Sequence, residues 1–262
     1  MKKIQLLTLF VAVGLIAFTS CDPKDKEEPI VVVKASPIKS ISMVSGSDTE
    51  MWDFAYHTTT KKITEIKNYW NAALDKTITY NYATAGKLTI TSGTTAVTYD
   101  INASGMVTKE PWSTSGEFAV YEYDAAGYLI KISEFWGGSL RLKMAAVITN
   151  GNIMKHTTYD DDGVTVKRIK EFTYLVGDNV NEIQQASMVD HNTKPMTNLF
   201  GNSSKKLLDR LKLWDPRVNP IVERTTVITY LFDIKNRPSK ITRTGATFVE
   251  VYNYTYVEDA VK

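Results

Sequence analysis

The sequence predicts an all-β protein built as an antiparallel meander of about 14 strands. Apolar and polar residues alternate over many short segments, which is the period of a half-buried strand. Turn signals built on Asp, Asn and Gly recur about every 8–12 residues. Aromatic residues make up 11% of the chain and favour strands over helices.

The N-terminus is distinct from the predicted domain. Lys2 and Lys3 precede an apolar run from Ile4 to Phe18. The run is shorter than the roughly 20 residues that span a bilayer and is typical of a signal peptide. The following FTSC, which ends at Cys21, resembles the lipobox of bacterial lipoproteins, in which the cysteine carries the lipid. Because Cys21 is the only cysteine, it is the predicted lipidation site, the alternative being a free thiol in an uncleaved anchor.

Three segments follow from this interpretation: a signal peptide over 1–20, the lipidated cysteine with a flexible tether over 21–37, and one β-rich domain over 38–262. The tether sequence DPKDKEEP resembles the export signal of Bacteroidetes surface lipoproteins, the alternative being a solvated linker. We therefore expect an outer-membrane lipoprotein anchored through its lipid and exposed at the cell surface. Removal of residues 1–20 leaves 29 basic and 29 acidic residues without a basic cluster, so we expect no nucleic-acid partner.

The stretch YEYDAAGYLIKI, Tyr121 to Ile132, predicts a β-hairpin. Asp124 is suited to the first position of a type I turn, and Gly127 can take the positive φ that rejoins two antiparallel strands. Tyrosines, or residues that replace them, stand at similar offsets before other turn residues. The corresponding structural turn positions are Gly86, Gly105, Gly163 and Asn236.

The segment from His191 to Pro220 interrupts this rhythm. Ser203 or Ser204 could cap a short helix over KKLLDRLKL, so we expect one helical excursion near 203–214. A long excursion inside a meander is often functional. The alternative, which we favour, is a lid over a barrel end or a sheet edge.

The hairpins YEYDAAGYLIKI and YLFDIKNRPSKI resemble the tyrosine–aspartate repeats of Rhs-type proteins. Together with the signal peptide and tether, they resemble a family of uncharacterised Bacteroidetes lipoproteins, a domain of unknown function with a porin-like fold, over roughly residues 38–258. The resemblance implies a barrel-like sheet and no catalytic residues. Several strands carry Thr, Lys or Glu opposite their apolar face, which predicts an apolar interior and a polar exterior rather than a lipid-facing band.

No pattern of catalytic, metal or cofactor residues is evident. His57, His156 and His191 lack metal-ligand spacing, and no GxSxG element marks a nucleophile, although a triad assembled in space stays open. The run from Asp160 to Gly163 fits a turn better than a calcium loop. A carboxylate pair drawn from Glu110, Glu117 and Glu122 for glycoside hydrolysis also stays open.

Exposed aromatic residues provide the remaining functional signal. Trp70, Trp112 and Trp136 lie near predicted strand ends, and Trp214 lies in the irregular segment. Aromatic rings at loop rims can stack on sugars or on partner proteins. We expect a non-catalytic binding module for a glycan, peptide or lipid, with Trp136 and Trp214 as candidate ligand-binding residues. The alternatives are a structural partner of another envelope protein and, less favoured, a hydrolase.

Overall fold

The computed structural model describes residues 37–112, 116–179 and 198–257, and these residues form sixteen β-strands. The first eight strands are β1 (Ile38–Ser45), β2 (Asp48–Tyr56), β3 (Ile63–Trp70), β4 (Ala73–Asn81), β5 (Lys87–Ser92), β6 (Thr95–Ile101), β7 (Val107–Pro111) and β8 (Phe118–Tyr123). The second eight are β9 (Leu129–Trp136), β10 (Ser139–Thr149), β11 (Asn152–Tyr159), β12 (Val166–Asp178), β13 (Lys206–Trp214), β14 (Arg224–Phe232), β15 (Pro238–Thr244) and β16 (Val249–Tyr256).

Each strand pairs antiparallel with the next, and β16 pairs with β1 to close a barrel. The predicted fold class is thus confirmed, with a slightly higher strand number. The connections lie at two ends of the barrel. The plug end contains Pro37, Val257, the connections 57–62, 82–86, 102–106, 124–128, 150–151 and 233–237, and the described residues 179 and 198–205 between β12 and β13. The far end contains the connections 46–47, 71–72, 93–94, 137–138, 160–165, 215–223 and 245–248, and the described residues 112, 116 and 117 between β7 and β8.

The side chains alternate between an apolar interior and a polar exterior. Leu88 and Tyr99 are directly paired and both buried. Their neighbours on the opposite face form polar pairs, such as Lys87 with Asp100, whose Nζ and Oδ1 atoms are 2.5 Å apart. Directly paired residues share a face, so this arrangement assigns the buried face to the barrel interior. The buried apolar residues from the strands join in one core cluster, apart from Leu207 of β13, which is buried outside it.

Tyrosine hydroxyls tie neighbouring strands together near the plug end. Five of them donate hydrogen bonds of 2.5–2.7 Å to backbone carbonyl oxygens. The donor and acceptor residues are Tyr56 and Ile38, Tyr123 and Val107, Tyr174 and Ile153, Tyr230 and Leu208, and Tyr256 and Pro238. A buried phenol needs such a partner, and the bond lets a large ring fill the interior without leaving a polar atom unpaired. The recurrent tyrosines therefore have a structural role in this barrel.

The hairpin turn at Asp124 is closed by both backbone and side-chain hydrogen bonds. The Gly127 amide donates to the Asp124 carbonyl at 3.0 Å, and the Asp124 carboxylate accepts from the amides of Ala126 and Tyr128 at 2.9 Å. Gly127 has φ +86°. The turns that start at Asn102 and Asp233 repeat this pattern of bonds.

The remaining turn glycines share the backbone conformation but not every bond. Gly86, Gly105 and Gly163 all have positive φ, as does Asn236 at φ 56°. In the turn that contains Gly163, the carboxylate that accepts the local amides belongs to Asp162 instead of Asp160. This connection is also one residue longer, because the Asp160 amide donates to the carbonyl of Thr165, five residues on, whereas the Asp124 amide donates to that of Tyr128, four residues on.

The helix expected near 203–214 is wrong, because Lys206–Trp214 is the strand β13. Leu207, Leu208 and Leu211 suggested one face of a helix. In the sheet, Thr173 pairs with Arg210 and Tyr174 pairs with Leu208, so the register shifts at Asp209, and Leu208 and Leu211 both pack against the barrel core although they lie three residues apart. The irregular strand therefore produces the i, i+3 spacing of leucines that is typical of a helix. The helical turn lies just before this region, as a one-turn 3₁₀ helix over Asn198–Phe200.

Residues 199–205 cover the plug end of the barrel. Phe200 is buried and lies 5.0 Å from Tyr121, measured between ring centroids. The Asn202 amide donates to the Gly127 carbonyl at 2.9 Å, and the Lys205 amide donates to the Gly151 carbonyl at 3.0 Å. This part of the irregular segment closes the barrel end, in keeping with the lid interpretation, whereas residues 180–197 lie outside the described part of the chain.

Candidate functional site

A cavity of about 240 Å³ lies at the far end of the barrel. It forms where the connections after β7, β9 and β11 meet. The indole rings of Trp112 and Trp136 line it together with charged and apolar side chains. The other lining residues are Glu117, Glu134, Arg141, Leu142, Lys143, Asp160 and Asp161.

Both tryptophans are exposed, Trp112 by 44% and Trp136 by 49%. Trp136 ends β9 and precedes the Gly137-Gly138 turn, whose positive φ values turn the chain directly into β10. The guanidinium carbon of Arg141 lies 5.4 Å from the centroid of Trp136, a cation–π distance. Arg141 also donates to the Asp161 carbonyl at 2.7 Å, so it braces both the ring and the facing turn.

A chain of charges runs across the cavity wall. The Lys143 ammonium lies 3.4 Å from the Glu134 carboxylate and 3.6 Å from that of Asp161. Burial raises the pKa of Glu134 above its usual range, and the neighbouring Lys143 partly opposes that rise. Glu134 is therefore an oriented, partly desolvated acceptor that can accept a hydrogen bond from a ligand hydroxyl.

The turn from Asp160 to Gly163 forms the opposite wall, and its carboxylates are engaged. Asp160 bonds Arg217 at 2.5 Å and lies 3.6 Å from Lys167. The Asp162 carboxylate accepts hydrogen bonds from Thr165, and these bonds lower its pKa. Within the described residues, no group of three or more His, Cys, Asp or Glu side chains is arranged to hold a metal ion.

The structure separates the two tryptophans proposed for ligand binding. Trp136 lines the cavity, whereas Trp214 lies at the end of β13 opposite Ile169, on the outward face, and is half-buried. Trp70 is 46% exposed at the far end of β3 but does not line the cavity. Trp112, which was noted only as a residue near a strand end, is the second ring of the site.

The three glutamates considered for hydrolysis have different surroundings. Glu110 is buried and accepts hydrogen bonds from the hydroxyls of Tyr99, at 3.2 Å, and Tyr121. Glu117 lines the cavity, and Glu122 forms an outward ion pair of 2.7 Å with Lys131. Because Glu122 lies on the exterior face, it cannot act with Glu110 across an interior site.

The histidines do not form a shared site among the described residues. His156 is buried in the barrel interior, and its ring lies 4.8 Å from that of Phe172 in an edge-on arrangement. Neither of its ring nitrogens has a hydrogen-bond partner in the described part of the chain. Burial, followed by the charge of Lys170, lowers its pKa to about 3. His57 lies exposed in the β2–β3 connection, and His191 is outside the described ranges.

The lipidation site Cys21, with the signal peptide and most of the tether, lies outside the described residues. Among the residues that are described, no helix has the length and apolar character needed to cross a membrane.

Sequence patterns did not identify the charged partners of the tryptophans. Arg141 and Lys143 lie on β10, where the register shifts between Leu142 and Met144. The wall facing them comes from the β11–β12 turn, in which a side chain at Gly163 would approach the Leu142 amide to 3.0 Å. Of the wall formed by β10 and the β11–β12 turn, only the turn itself is evident from the sequence, through the signal at Asp160 to Gly163. Its contact with β10 is a tertiary feature.

Comparisons with known proteins support the fold and leave the function undefined. No family model matches the chain, and no curated protein matches it. A porin-like protein from Bacteroides uniformis is similar in structure, with a TM-score of 0.67, 17% sequence identity, and coverage of 85% of this chain and 99% of that one. A porin-like protein from Bacteroides vulgatus gives a TM-score of 0.57 at 12% identity, covering 86% of this chain and 100% of that one.

The chain therefore has the barrel architecture of porin-like proteins. The resemblance to the uncharacterised lipoprotein family and to tyrosine–aspartate repeats is unconfirmed, since no family model matches. At these identities the structural likeness defines a fold class and assigns no activity.

Proposed function

We propose that this protein is a membrane-anchored binding module whose ligand site is the far-end cavity between Trp112 and Trp136. The observation that carries the proposal is the presence of two exposed indole rings on one cavity. Such rings offer flat apolar faces, and Glu134, Lys143 and Arg141 supply hydrogen-bonding groups beside them.

The chemistry of the lining favours a neutral glycan. Sugar rings combine apolar C–H faces with hydroxyl groups, which suits an indole flanked by a carboxylate and an ammonium group. Four carboxylates and two cations line the cavity, a balance that disfavours a polyanionic ligand. The volume is below the roughly 300–1,000 Å³ of sites for drug-sized ligands, so we expect one or two sugar units at an open rim.

A second cavity offers a weaker alternative. It measures about 450 Å³ and is lined by residues of β4, β5 and the β5–β6 turn. Its lining consists of Leu74, Asp75, Lys76, Thr77, Thr79, Thr91 and Gly93. Because these residues include no aromatic ring, we assign the glycan site to the Trp112 and Trp136 cavity.

The tests of glycan binding use single tryptophan substitutions. The purified chain is screened on a glycan array, and the affinity for any ligand found is then measured by calorimetry. Trp136→Ala should weaken binding at least about tenfold, as expected for a central aromatic contact. Trp70→Ala is the matched control, because Trp70 is 46% exposed at the same barrel end without lining the cavity. Equal affinity of the wild type and both variants would refute the site.

The cellular location is a second part of the proposal. Cys21 would carry the lipid, and residues 22–37 would tether the barrel at the outer membrane, facing the cell exterior. The polar outward pairs, such as Glu122 with Lys131, support a barrel that stands in water beside the membrane. Cys21→Ser should move the protein out of the membrane fraction. Retention of an unprocessed Cys21→Ser chain in that fraction would contradict lipid anchoring.

A further inference from the structure

The two ends of the barrel carry opposite formal charge in their described connections. At the plug end the charged residues are the bases Lys61, Lys62, Lys205, Lys235 and Arg237 and the acids Asp124 and Asp233. At the far end they are the base Arg217 and the acids Glu117, Asp160, Asp161, Asp162, Asp215 and Glu223. Five bases against two acids give +3 at the plug end, and one base against six acids gives −5 at the far end.

The excess at the plug end resides on exposed lysines. Arg237 is buried and bonds Asp233 at 2.7 Å, so these two charges neutralise each other inside the protein. The remaining charges are those of the four lysines, all exposed, and of Asp124. Within the described connections, the outward-facing charge of this end is therefore cationic.

Apolar side chains protrude among these lysines. Ile234 is fully exposed at the tip of the β14–β15 turn, directly before Lys235. Val176, near the end of β12, is 93% exposed, and Leu231 and Phe232 are exposed at the end of β14. Exposed apolar residues beside cationic ones are the pattern of proteins that bind at the interface of an anionic bilayer.

The chain also enters the barrel at this end. Val257 donates its amide to the Pro37 carbonyl at 2.9 Å, so both ends of the described chain lie at the plug end. The 16 residues from 22 to 37 can extend roughly 50 Å. An eight-residue strand such as β1 is about 26 Å long. The length of the tether thus permits either the plug end or the far end of the barrel to reach the membrane. The charge and the exposed apolar side chains of each end must then determine which of them faces the membrane.

We infer that the plug end docks on a membrane surface that carries anionic lipids, with Ile234 and Val176 inserted at its interface. This inference rests on the proposed lipid anchor and adds an orientation to it. The far end, which is acidic, then faces away from the membrane, and the Trp112 and Trp136 cavity opens toward the surroundings. Anionic lipids repel the far end even though Val164 and Ile221 are exposed there.

The experiment compares two labelled positions in the full lipidated chain. Cys21 is the only cysteine and carries the lipid, so Ile234→Cys and Ile221→Cys each introduce a single thiol for an environment-sensitive fluorophore. Ile221 is the matched control because it is apolar and 58% exposed at the far end. The chains are reconstituted into vesicles of phosphatidylcholine with phosphatidylglycerol and into vesicles of phosphatidylcholine alone.

The label at position 234 should brighten about threefold in the anionic vesicles and be quenched by acyl-chain nitroxides, whereas the label at 221 should not respond. Lys61→Glu combined with Lys235→Glu should reduce that response several-fold, and Lys76→Glu outside the plug end should leave it unchanged. Equal responses at 234 and 221 would overturn the docking face.

Flotation and mass spectrometry of the wild-type chain separate this failure from failure of the anchor. If the wild-type chain is lipidated and floats with the vesicles, but the fluorophores at positions 234 and 221 respond equally, only the docking is refuted. A chain with unmodified Cys21 that does not float refutes the anchor, and with it the docking that depends on it.

Discussion

Acidification should destabilise the barrel through one buried histidine. The His156 ring is 1% exposed, and neither nitrogen has a hydrogen-bond partner within the described residues, so the fold accepts only its neutral form. The pKa falls from its ordinary 6.5 to about 3. Below pH 6.5 the His156 imidazole binds a proton in the unfolded chain but stays neutral in the folded chain. The stabilisation is therefore complete above pH 6.5 and is lost as the pH falls toward 3.

The magnitude follows from the shift. Each pH unit within this window lowers the free energy of unfolding by about 1.4 kcal/mol. Between pH 6.5 and 4.5 the loss from His156 is on the order of 2 kcal/mol, before carboxylate contributions are added. His156→Leu removes this titration and keeps an apolar side chain in the interior, so it isolates the effect of the imidazole.

Urea unfolding at several pH values, followed by tryptophan fluorescence, measures the effect. The difference in free energy of unfolding between His156→Leu and the wild type should be constant above pH 7 and should grow in favour of the variant below pH 6. His57→Asn is the control, since it replaces a histidine that is exposed in the β2–β3 connection instead of one buried in the interior. Parallel pH profiles for the wild type and His156→Leu would show that His156 charges freely in the folded barrel and would refute the reasoning.

Two substitutions test the hairpin and tyrosine arguments by urea unfolding. Gly127→Val should lower the free energy of unfolding by about 2–3 kcal/mol. Its φ is +86°, and the new Cβ would lie 3.0 Å from Nδ2 in the side chain of Asn202. Gly46→Val, where φ is +61° and no atom lies within 4 Å, should cost less, and equal losses would refute the role of the Asn202 contact. Tyr121→Phe should cost about 1–3 kcal/mol, because buried Glu110 loses a hydroxyl donor, and a loss near zero would contradict that contribution.

The barrel could be predicted from the sequence because its signals are local. Each Asx–Gly turn specifies a hairpin through bonds that span only four residues, as at Asp124 and Gly127. Alternation then assigns the faces of strands such as β5 and β6. The failure at 203–214 has a local cause too, since the register shift at Asp209 places Leu208 and Leu211 against the same core and produces apparent helical spacing.

The candidate site could be predicted only in part. Trp136 was identified because it stands beside a Gly-Gly turn, where a ring at a strand end is exposed. Its partners Arg141 and Asp161 are joined by a bond between residues 20 positions apart, and that bond depends on how the β11–β12 turn folds onto β10. No local pattern encodes such a contact. Trp214 does not line this cavity, and the face it occupies depends on the register between β12 and β13, which the sequence does not specify locally.

The most direct test of the glycan site is a nuclear magnetic resonance titration of the indole N–H signals. The chain has five tryptophans, so five indole signals can be followed while a neutral oligosaccharide identified on the array is added. The signals of Trp112 and Trp136 should shift together and saturate at one affinity, while those of Trp70 and Trp214 stay in place. Saturable shifts at Trp70 or Trp214, with Trp112 and Trp136 unchanged, would contradict the assignment of the binding site.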